Sequence, residues 1–454
     1  MEHSSRAFKL LPRTEPMHFA FLGINYWPDE TGIAPFTTGR CEYLASRGHR
    51  VTVFTGFPYY PAWRIPDEYR GRLFSREIRN GVTIIRSWLY VPARVNSMRR
   101  ILHEASFTAS SLLRALATGN RNKPDVLIVT TPPLALSLAA VALSRIWKIP
   151  YVQHVPDLQP DAAVDLGMLR PGQITNLLYG IERIGYQHAA LVSTLTETMR
   201  EKIIGKGIAT DKVVRFSDWA RSELFSVPAV GGAQFRRSAG LGDDELLVVH
   251  AGNMGVKQGL EVILGAAEKS RSDRSIKYLL IGDGAVRERL QDRARSLSLD
   301  NVRFMPLLPD SQFLDMLAAS NISLVTQQKS VADIVFPSKV ITLMSSARAI
   351  IASVSARSEV ARVLKKADAG ELVPPEDPRA LHDAIMTLRA EPARRMTLGA
   401  NGRRFAEHFW EKQNTLAVLE SSLLRVAAGR SPRGSEKAAE LNKPFIIKSE
   451  ESRQ

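Results

Sequence analysis

The stretch at residues 246–264, LLVVHAGNMGVKQGLEVIL, places two glycines and a lysine between an apolar run and a helical pattern. The apolar run before Gly252 predicts a strand, Gly255 completes a turn, and a helix is predicted to begin at Leu260. Glycines let backbone N–H groups approach an anion closely, the helix N-terminus adds about half a positive charge, and Lys257 adds a full one. This combination predicts a phosphate-binding site, although an ordinary strand-to-helix turn in an α/β protein has the same glycine pattern.

Two later stretches repeat the same kind of chemistry. In IGDG, Gly282 and Gly284 end one predicted strand and open another helix, which predicts a second turn where the backbone comes close to a ligand. In IVFPSKVITLMSS, Pro337 and Ser338 predict a helix start, with Ser338 as its cap and Lys339 in the first turn. A lysine there opposes the helix dipole, so a bound anion would account for it, while a plain surface lysine is the alternative.

Polar residues also follow two predicted strands in the first half of the chain. The loop that contains Asn25, Tyr26 and Gly32 is longer than a tight turn, and ordering it costs entropy that packing alone does not require. We therefore predict contact between this loop and a ligand, with a purely structural loop as the alternative. In VQHVPDLQPD, His154 stands at the carboxyl end of a strand, where ligands bind in open parallel sheets. A single histidine is more often structural, so only this position makes it a catalytic candidate.

These residues are positioned by strands and helices that alternate twice along the chain. Near-continuous apolar strands separated by helices predict parallel sheets that are covered on both faces. We therefore predict an α/β protein of two doubly wound, Rossmann-like domains, whose strand-end loops face each other across a central cleft. Predicted strands of the first domain lie at 18–26, 51–57, 82–88, 125–131, 150–155 and 190–196, with helices at 36–47, 97–117 and 174–188. Those of the second domain begin at 246 and continue at 276–284, 302–308, 322–328 and 349–354.

The composition changes along the chain and predicts where the domains begin and end. Pro228, Gly231 and Gly232 stand among mixed polar residues, which is typical of a connection between domains. The residues from Gly429 onward are polar and lack periodicity, so they predict a mobile tail. The predicted segments are an N-terminal extension at 1–16, a first domain at 17–216, a connection at 217–244, a second domain at 245–391, C-terminal helices at 392–428 and the tail at 429–454.

Charge and composition restrict the classes of function. The chain has 454 residues, of which 44% are hydrophobic and 24% charged, as in globular proteins of two domains. The single cysteine, Cys41, excludes an internal disulfide and fits a reducing compartment. The longest apolar run, at 134–146, is too short to span a membrane, and residues 1–16 show no secretory signal, so we predict a cytoplasmic protein. A net charge of +15 suits nucleic acid, anionic lipid or phosphorylated small molecules as partners.

A basic amphipathic segment favours anionic lipid among these partners. Apolar residues at spacings of three and four share one face of a predicted helix, with arginines along its borders. That pattern is typical of a segment at a membrane surface, and we predict peripheral binding to the anionic inner face of the cytoplasmic membrane. The alternative is that the apolar face packs on the sheet of the first domain. The apolar residues are Val95, Met98, Ile101 and Leu102, and the arginines are Arg94, Arg99 and Arg100.

The motifs GNMGVKQGLE, IGDG and FPSK, together with IPYVQH in the first half, resemble those of retaining nucleotide-sugar glycosyltransferases with the GT-B fold. Within this family the chain is most similar to the bacterial exopolysaccharide and O-antigen group, which includes colanic-acid and N-acetylfucosamine transferases. The resemblance covers about residues 17–425. It implies a UDP- or GDP-linked sugar donor on the second domain and a polyprenyl-diphosphate-linked or saccharide acceptor on the first. It also implies retention at the anomeric carbon, no metal or other cofactor, a last helix that returns to the first domain, and a role in surface polysaccharide, O-antigen or capsule synthesis.

The resemblance also implies roles for individual residues. His154, Lys257 and Lys339 would be catalytic, because the two lysines would meet the charge of the departing diphosphate and His154 would contact the donor sugar. Donor-binding residues would be Gly252, Asn253, Gly255, Gln258, Gly282, Gly284, Asp333, Pro337 and Ser338, and acceptor-binding residues would be Asn25, Tyr26 and Gly32. The chain departs from the wider family at Asn253 and Gln258, which replace an arginine and a lysine, and at Ile334 and Thr342, which replace two glutamates.

Two other classes of protein share part of these features. A sugar-nucleotide epimerase has the same two-domain architecture, but it is expected to carry more acid and base residues in its cleft than this sequence offers. A nucleic-acid-binding protein would explain the net charge of +15, yet no recognised binding module is present. We therefore predict a sugar transferase with no nucleic-acid partner.

Overall fold

The structure is a computed structural model that describes residues 15–429, except for short gaps at 31, 95, 120–121, 166–168, 171, 228 and 332–337. The described residues form two compact units. The first contains the chain up to Asp218 together with the part from Thr415 onward, and the second contains Trp219–Asn414. The predicted N-terminal extension and C-terminal tail lie almost entirely outside the described residues.

The first unit alternates strands and helices up to Asp218, as the sequence predicts. Its strands are β1 (His18–Leu22), β2 (Arg50–Gly56), β3 (Phe74–Arg79), β4 (Val82–Ser87), β5 (Val126–Thr130), β6 (Tyr151–Val155), β7 (Leu191–Thr194) and β8 (Val213–Arg215). Its helices are α1 (Ala34–Ser46), α2 (Ser97–Gly119), α3 (Leu136–Trp147), α4 (Gln159–Asp165), α5 (Gln173–His188) and α6 (Glu197–Gly205).

These strands form one sheet in the order β3-β4-β2-β1-β5-β6-β7-β8. All of its neighbouring strands run parallel except β3 and β4. Strands β5 and β6 are buried at every position, as expected for a doubly wound sheet that is covered on both faces. The sequence does not predict β3, because its residues FSREIR alternate between exposed and half-buried positions at the edge of the sheet and form no apolar run.

The second unit has the same alternation and a smaller sheet. Its strands are β9 (Leu246–Ala251), β10 (Ile276–Ile281), β11 (Val302–Met305), β12 (Ile322–Thr326), β13 (Ile350–Ser353) and β14 (Gly370–Val373), and they are parallel in the order β11-β10-β9-β12-β13-β14. The helices are α7 (Ala229–Ser238), α8 (Glu261–Lys269), α9 (Arg287–Ser296), α10 (Asp310–Ala319), α11 (Ser338–Ser345), α12 (Glu359–Ala367), α13 (Pro378–Ala390) and α14 (Pro392–Phe409). A last helix, α15 (Lys412–Ala427), begins in this unit and belongs to the first unit from Thr415. Two doubly wound, Rossmann-like units confirm the predicted fold class.

The segment predicted as a connection, 217–244, differs from that expectation. From Trp219 it belongs to the second unit, and it contains the helix α7. A side chain added at Gly232 would come within 2.9 Å of the backbone of Ala318 on α10, so this glycine allows two helices to approach closely. The glycines that suggested a connection between domains therefore allow close helix packing.

Residues from Thr415 onward return α15 to the first unit, where Glu420 is completely enclosed. The Glu420 carboxylate accepts hydrogen bonds from Tyr43 Oη at 2.9 Å, Arg47 Nε at 3.1 Å and His49 Nε2 at 3.2 Å. The Met17 N–H donates to His49 Nδ1 at 3.2 Å, so the imidazole proton is on Nε2 and faces the carboxylate. One buried carboxylate therefore joins the last helix to α1 and to the start of β2.

We expect Glu420→Ala to lower the free energy of unfolding of the first unit by about 3 kcal/mol, because it removes the acceptor shared by the buried His49 and the half-buried Tyr43 and Arg47. Urea denaturation followed by circular dichroism measures the loss. Glu407→Ala is the matched control, since Glu407 pairs with Arg403 on an exposed helix surface and should change stability by less than about 1 kcal/mol. Equal losses in the two variants would contradict the enclosed role of Glu420.

Candidate active site

The carboxyl ends of β9 and β12 mark the point where the second sheet reverses its strand order. The chain passes from β9 to β10 and β11 on one side, and then to β12 on the other. In open α/β sheets, such a switch point leaves a crevice outside the strand ends where ligands bind. The first predicted phosphate motif lies there, since Gly252 directly follows β9 and donates its N–H to Ile281 O at 2.8 Å.

Gly282 and Gly284 let the loops after β9 and β10 pack against each other. A side chain on Gly282 would overlap the carbonyl of Gly252, and one on Gly284 would lie 2.5 Å from the oxygen of Met254. Both glycines also have positive φ angles, of 136° and 151°. The loops are joined by a hydrogen bond of 2.8 Å from Met254 N–H to Asp283 O. The close approach predicted at these glycines is therefore an approach between two loops, and it fixes the backbone around Gly252.

Lys339, in the first turn of α11, reaches back to the end of β9. Its Nζ lies 3.3 Å and 3.4 Å from the two ring nitrogens of His250, and a side chain on Gly252 would meet the same Nζ at 3.4 Å. Within the described residues no carboxylate pairs with this ammonium, and burial lowers the pKa of Lys339 to about 7. The buried His250 has a pKa well below its usual value, first through burial and then through Lys339, so it is neutral and accepts from the lysine.

Lys257 and Gln258 lie in a short 3₁₀ turn that precedes α8. Lys257 is exposed, whereas Gln258 Oε1 is buried and has no hydrogen-bond partner among the residues the structure describes. Helix α8 begins at Glu261, whose carboxylate pairs with Arg289. A carboxylate of the protein thus already occupies the positive end of this helix. An anionic ligand would therefore bind at the preceding turn, which contains Lys257.

The structure brings most of the predicted donor residues together around Gly252. Asn253, Gly255 and Gln258 follow on the same loop, where a side chain at Gly255 would touch the amides of the other two. Ser338 is the exposed first residue of α11, so it lies inside the helix and does not precede it as a cap. Asp333 and Pro337, with Ile334, lie outside the described residues.

His154, at the carboxyl end of β6, is buried, and both of its ring nitrogens are bonded within the first unit. Its Nε2 lies 3.0 Å from Arg40 Nη1, and its Nδ1 lies 3.0 Å from Ser193 Oγ. Because a guanidinium only donates, Nε2 accepts and the proton is on Nδ1. Burial lowers the pKa of His154 well below its usual value, and the charge of Arg40 adds to this effect. Arg40 in turn pairs with Asp218 at 2.9 Å. Contact between His154 and a donor sugar stays a prediction, and it requires Arg40 to release Nε2.

A pocket of about 410 Å³ opens at the strand ends of the first unit. Asn25 and Gly32, two of the three predicted acceptor residues, line it. The third, Tyr26, is instead buried in the core beside Cys41, where burial raises the pKa of its phenol. Residues that were not predicted to bind the acceptor complete the wall, and they include the aromatic Tyr59, Tyr60, Trp63 and His103 and the charged Arg100, Glu104 and Asp157.

Some of the unpredicted residues carry a signal in the sequence. His250 interrupts the apolar strand LLVVHAG, and Arg40 occupies a buried position of α1, so each is a polar residue where an apolar one is expected. The run FPYYPAW after β2 concentrates aromatic side chains in a loop, and loops are where binding residues are concentrated. Ser193 and Asp218 offer no comparable signal.

Comparison with known families and structures agrees with this architecture. Residues 31–219 match the family described as glycosyl transferase 4-like domain, and residues 233–405 match the family described as glycosyl transferases group 1. The crystal structure of Anabaena Alr3699/HepE in complex with UDP has a TM-score of 0.67 at 14% identity, and the match covers 90% of this chain and 100% of that one. Sucrose-phosphate synthase from Thermosynechococcus elongatus has a TM-score of 0.67 at 18% identity, with 91% and 99% covered.

Two curated relatives extend the similarity to the sequence. A protein of Escherichia coli (strain K12) named as colanic acid biosynthesis glycosyl transferase WcaI is 31% identical over 405 residues, which are 88% of this chain and 98% of the relative. Glycosyltransferase WbjE of Pseudomonas aeruginosa is 26% identical over 266 residues, 58% of this chain and 66% of the relative. With family matches in both units and a relative aligned over nearly its full length, the chain belongs to the glycosyltransferase family with the GT-B fold that includes the Escherichia coli protein.

Proposed function

We propose that this glycosyltransferase is a retaining, metal-independent enzyme that moves a sugar from a UDP- or GDP-linked donor to a lipid-linked or saccharide acceptor. The observation that carries the proposal is Lys339, whose ammonium stands beside Gly252 at the switch point with no carboxylate partner among the described residues. The Escherichia coli relative is named for colanic acid biosynthesis, and the Anabaena structure contains UDP. The first name supports a product in surface polysaccharide synthesis, and the second supports a nucleotide-linked donor.

The donor half of the reaction needs positive charge more than it needs an acid or a base. When the bond between the anomeric carbon and the diphosphate oxygen breaks, negative charge builds up on the departing diphosphate. Lys339 and Lys257 both lie near the end of β9, and we expect them to meet that charge. Diphosphate binding favours the protonated form of Lys339, so the lysine would be fully charged when the donor is bound.

The acceptor half can proceed without a protein nucleophile. The acceptor hydroxyl oxygen attacks the anomeric carbon from the face that the diphosphate leaves, and the new C–O bond replaces the old one with retention. The hydroxyl proton passes to an oxygen of the departing phosphate. The mechanism thus uses the donor's own phosphate as the base, and the resemblance to retaining glycosyltransferases supports it.

A donor and acceptor panel tests this proposal against its rivals. The full chain is incubated with UDP- and GDP-sugars, with and without a polyprenyl-diphosphate-linked sugar, and nucleotide release and product mass are measured. We expect nucleotide release that depends on the acceptor, with one sugar added to it. Conversion of the donor to an isomer without an acceptor would indicate an epimerase. Binding to nucleic acid without any sugar transfer would indicate a nucleic-acid-binding protein.

The apolar residues at the start of α2 support binding to a membrane surface. Met98, Ile101 and Leu102 are 74%, 62% and 54% exposed, so they do not pack on the sheet as the alternative requires. Arg99 and Arg100 lie beside them and are also exposed. Among the helices that the structure describes, none is long and apolar enough to cross a bilayer. We propose that this surface holds the enzyme at the anionic inner face of the cytoplasmic membrane, where a lipid-diphosphate acceptor would be found.

Sedimentation with liposomes tests the membrane proposal. We expect binding to anionic vesicles at low salt, and we expect Arg94, Arg99 and Arg100→Glu to weaken it more than tenfold, since each arginine near an anionic surface contributes about 1 kcal/mol. A control variant reverses three exposed arginines of the second unit, Arg274, Arg293 and Arg379→Glu, and so has the same net charge. Equal loss of binding in both variants would show that net charge alone explains the loss. Unchanged binding of the variant with Arg94, Arg99 and Arg100→Glu would contradict the proposal.

A further inference from the structure

Helix α5 carries its exposed apolar residues along the side that faces solvent. Ile174, Leu177 and Ile184 are 68%, 64% and 41% exposed, and their spacings of three and seven place them on one stripe of the helix. The opposite side is enclosed, and its buried residues are Thr175, Glu182, Gly185 and Tyr186. The outer side of α5 is therefore more apolar than its inner side, which is the reverse of an ordinary surface helix.

The inner side of α5 is occupied by a charge network. Glu182 is buried and accepts hydrogen bonds from Lys206 Nζ at 2.5 Å and from Tyr186 Oη at 2.9 Å. Apolar side chains stabilise a protein only when they leave water, and the outer side chains of α5 do not leave it in a single copy of the chain. Exposed apolar patches of this kind mark interaction sites, so we expect a partner to cover the outer side.

Gly180 lies among these apolar residues on the outer side of α5. A side chain added at this position would meet no described atom within 4 Å, so packing among the described residues does not require a glycine here. Glycine inside a helix is less stable than alanine, which makes its presence without a packing reason unfavourable. A helix of another molecule can approach closely at such a position, as α10 does at Gly232 of α7.

Helix α3 extends the apolar surface beside α5. Arg145 Nη2 on α3 lies 2.9 Å from His188 Nε2 on α5, so the two helices are neighbours. A standard interface buries about 800 Å² on each partner, and two adjacent helices of up to about 24 Å in length offer a surface of that order. The residues of this α3–α5 surface are Leu138, Ile146, Ile174, Leu177, Gly180 and Ile184.

We propose that the α3–α5 surface binds the same surface of a second copy of the chain, with the two α5 helices crossing at Gly180. In a two-fold dimer the residues near the axis meet their own copies, so a charged residue there would meet its like. Arg183 is the only exposed Asp, Glu, Lys or Arg of α5, and its exposed polar neighbours Gln173, Asn176 and Gln187 are neutral. Copies that each carry a net charge of +15 repel one another least across such a surface.

The same distribution of charge disfavours a membrane or an acidic protein as the occupant. Both are attracted by basic residues that border apolar ones, which is the arrangement of Arg99, Arg100 and Met98 at the start of α2. Helix α5, which the structure describes in full, offers Arg183 alone. The inference does not depend on the chemistry of sugar transfer, because the α3–α5 surface contains none of the residues assigned to donor or acceptor.

Gly180→Leu tests the proposal without disturbing the single chain, because the added side chain has open space and leucine favours a helix. The mass of the full-length protein is measured over a range of concentrations by light scattering and sedimentation equilibrium. We expect the wild type to form a dimer, and we expect Gly180→Leu to raise its dissociation constant more than about tenfold, since the leucine obstructs the helix crossing twice. Leu177→Glu should have an effect of the same size, because it places two carboxylates near the axis.

Leu307→Glu is the matched control, since Leu307 is an equally exposed leucine of the second unit and the substitution changes net charge by the same amount. Its dissociation constant should equal that of the wild type, and thermal denaturation checks that each variant is folded. A wild type that stays monomeric at every concentration, or a dimer that Gly180→Leu and Leu177→Glu leave unchanged, would overturn the proposal. A monomeric wild type whose binding to liposomes is lost in Leu177→Glu would overturn it in favour of a membrane surface.

Cross-linking locates the axis of the dimer. A disulfide needs two Cα atoms within about 7 Å of each other, so a cysteine at position 180 can link two copies only if the helices cross closely there. The single native cysteine, Cys41, is buried and does not compete. With copper phenanthroline as the oxidant, we expect Gly180→Cys to give a linked dimer on a non-reducing gel. Met396→Cys, at an exposed position of the second unit, should give little. Equal yields from the two variants would contradict a crossing at Gly180.

Discussion

Lys339→Ala and Lys257→Ala are each expected to lower turnover at least tenfold while the fold stays intact. Both cations lie at the strand end where the diphosphate charge is proposed to develop, and a tenfold loss corresponds to about 1.4 kcal/mol of transition-state stabilisation. The loss should be larger for Lys339, since burial strengthens its interaction with an anion and loss of a single preorganised donor can cost about 10²- to 10³-fold. Initial rates of nucleotide release at saturating donor measure the effect.

Lys365→Ala is the matched control for these two variants. Lys365 is an exposed lysine of the second unit on α12, so its removal changes net charge equally without touching the loop after β9. We expect its turnover to equal that of the wild type. Thermal denaturation of each variant checks that the fold is kept. Full activity of both Lys257→Ala and Lys339→Ala on a verified donor would show that the leaving group is stabilised elsewhere.

Donor binding is expected to weaken as the pH rises through about 7, by up to tenfold per pH unit. The pKa of Lys339 in the free protein is about 7, so the ammonium is present below that pH and lost above it. A bound diphosphate prefers the charged form, which raises the pKa of Lys339 in the complex and makes the affinity fall where the free lysine loses its proton. The value of kcat/KM for the donor, measured from pH 6 to pH 9, reports the loss of this one proton from the free enzyme.

Lys339→Arg separates this lysine from other groups that titrate nearby. An arginine stays protonated across the whole range, so the fall in kcat/KM above about pH 7 should disappear in this variant. His250 lies against Lys339, but burial keeps its pKa well below its usual value, and it stays neutral throughout. The pKa of Lys339, about 7, lies inside the measured range from pH 6 to pH 9. A wild-type profile of kcat/KM that is flat over this range, or one that Lys339→Arg leaves unchanged, would show that Lys339 does not cause the pH dependence.

The fold could be predicted where burial leaves a continuous signal in the sequence. Strands such as β5 and β6 are apolar over their whole length because both faces of the sheet are covered, and their positions agree with the predicted ranges. The edge strands β3, β8 and β14 have no run of four apolar residues and leave no such signal, so they are not predicted. Glycines are ambiguous in the same way, since Gly232 suits a flexible connection or a close helix contact until its neighbours are known.

The site could be predicted only to the level of strand ends. Local spacing places Gly252 and Lys257 on a turn, but the contact between Lys339 and His250 joins residues that are 89 positions apart. Burial also sets the pKa of Lys339, and the sequence alone does not show that this lysine is desolvated. The bond between Arg40 and His154 spans 114 positions, and it engages Nε2 of the histidine that the resemblance assigns to the donor sugar. Tertiary packing therefore determines which candidates are accessible and what charge they carry.

Sugar transfer in the presence of a chelator tests most directly whether protein cations stabilise the departing diphosphate. The active donor from the panel is assayed with and without EDTA, for the wild type and for Lys339→Ala, and product is quantified by mass. We expect the same wild-type rate in both conditions, and no recovery of Lys339→Ala when Mg²⁺ or Mn²⁺ is added. A wild-type rate that is lost in EDTA and restored by either metal would contradict the proposal that Lys257 and Lys339 do this work.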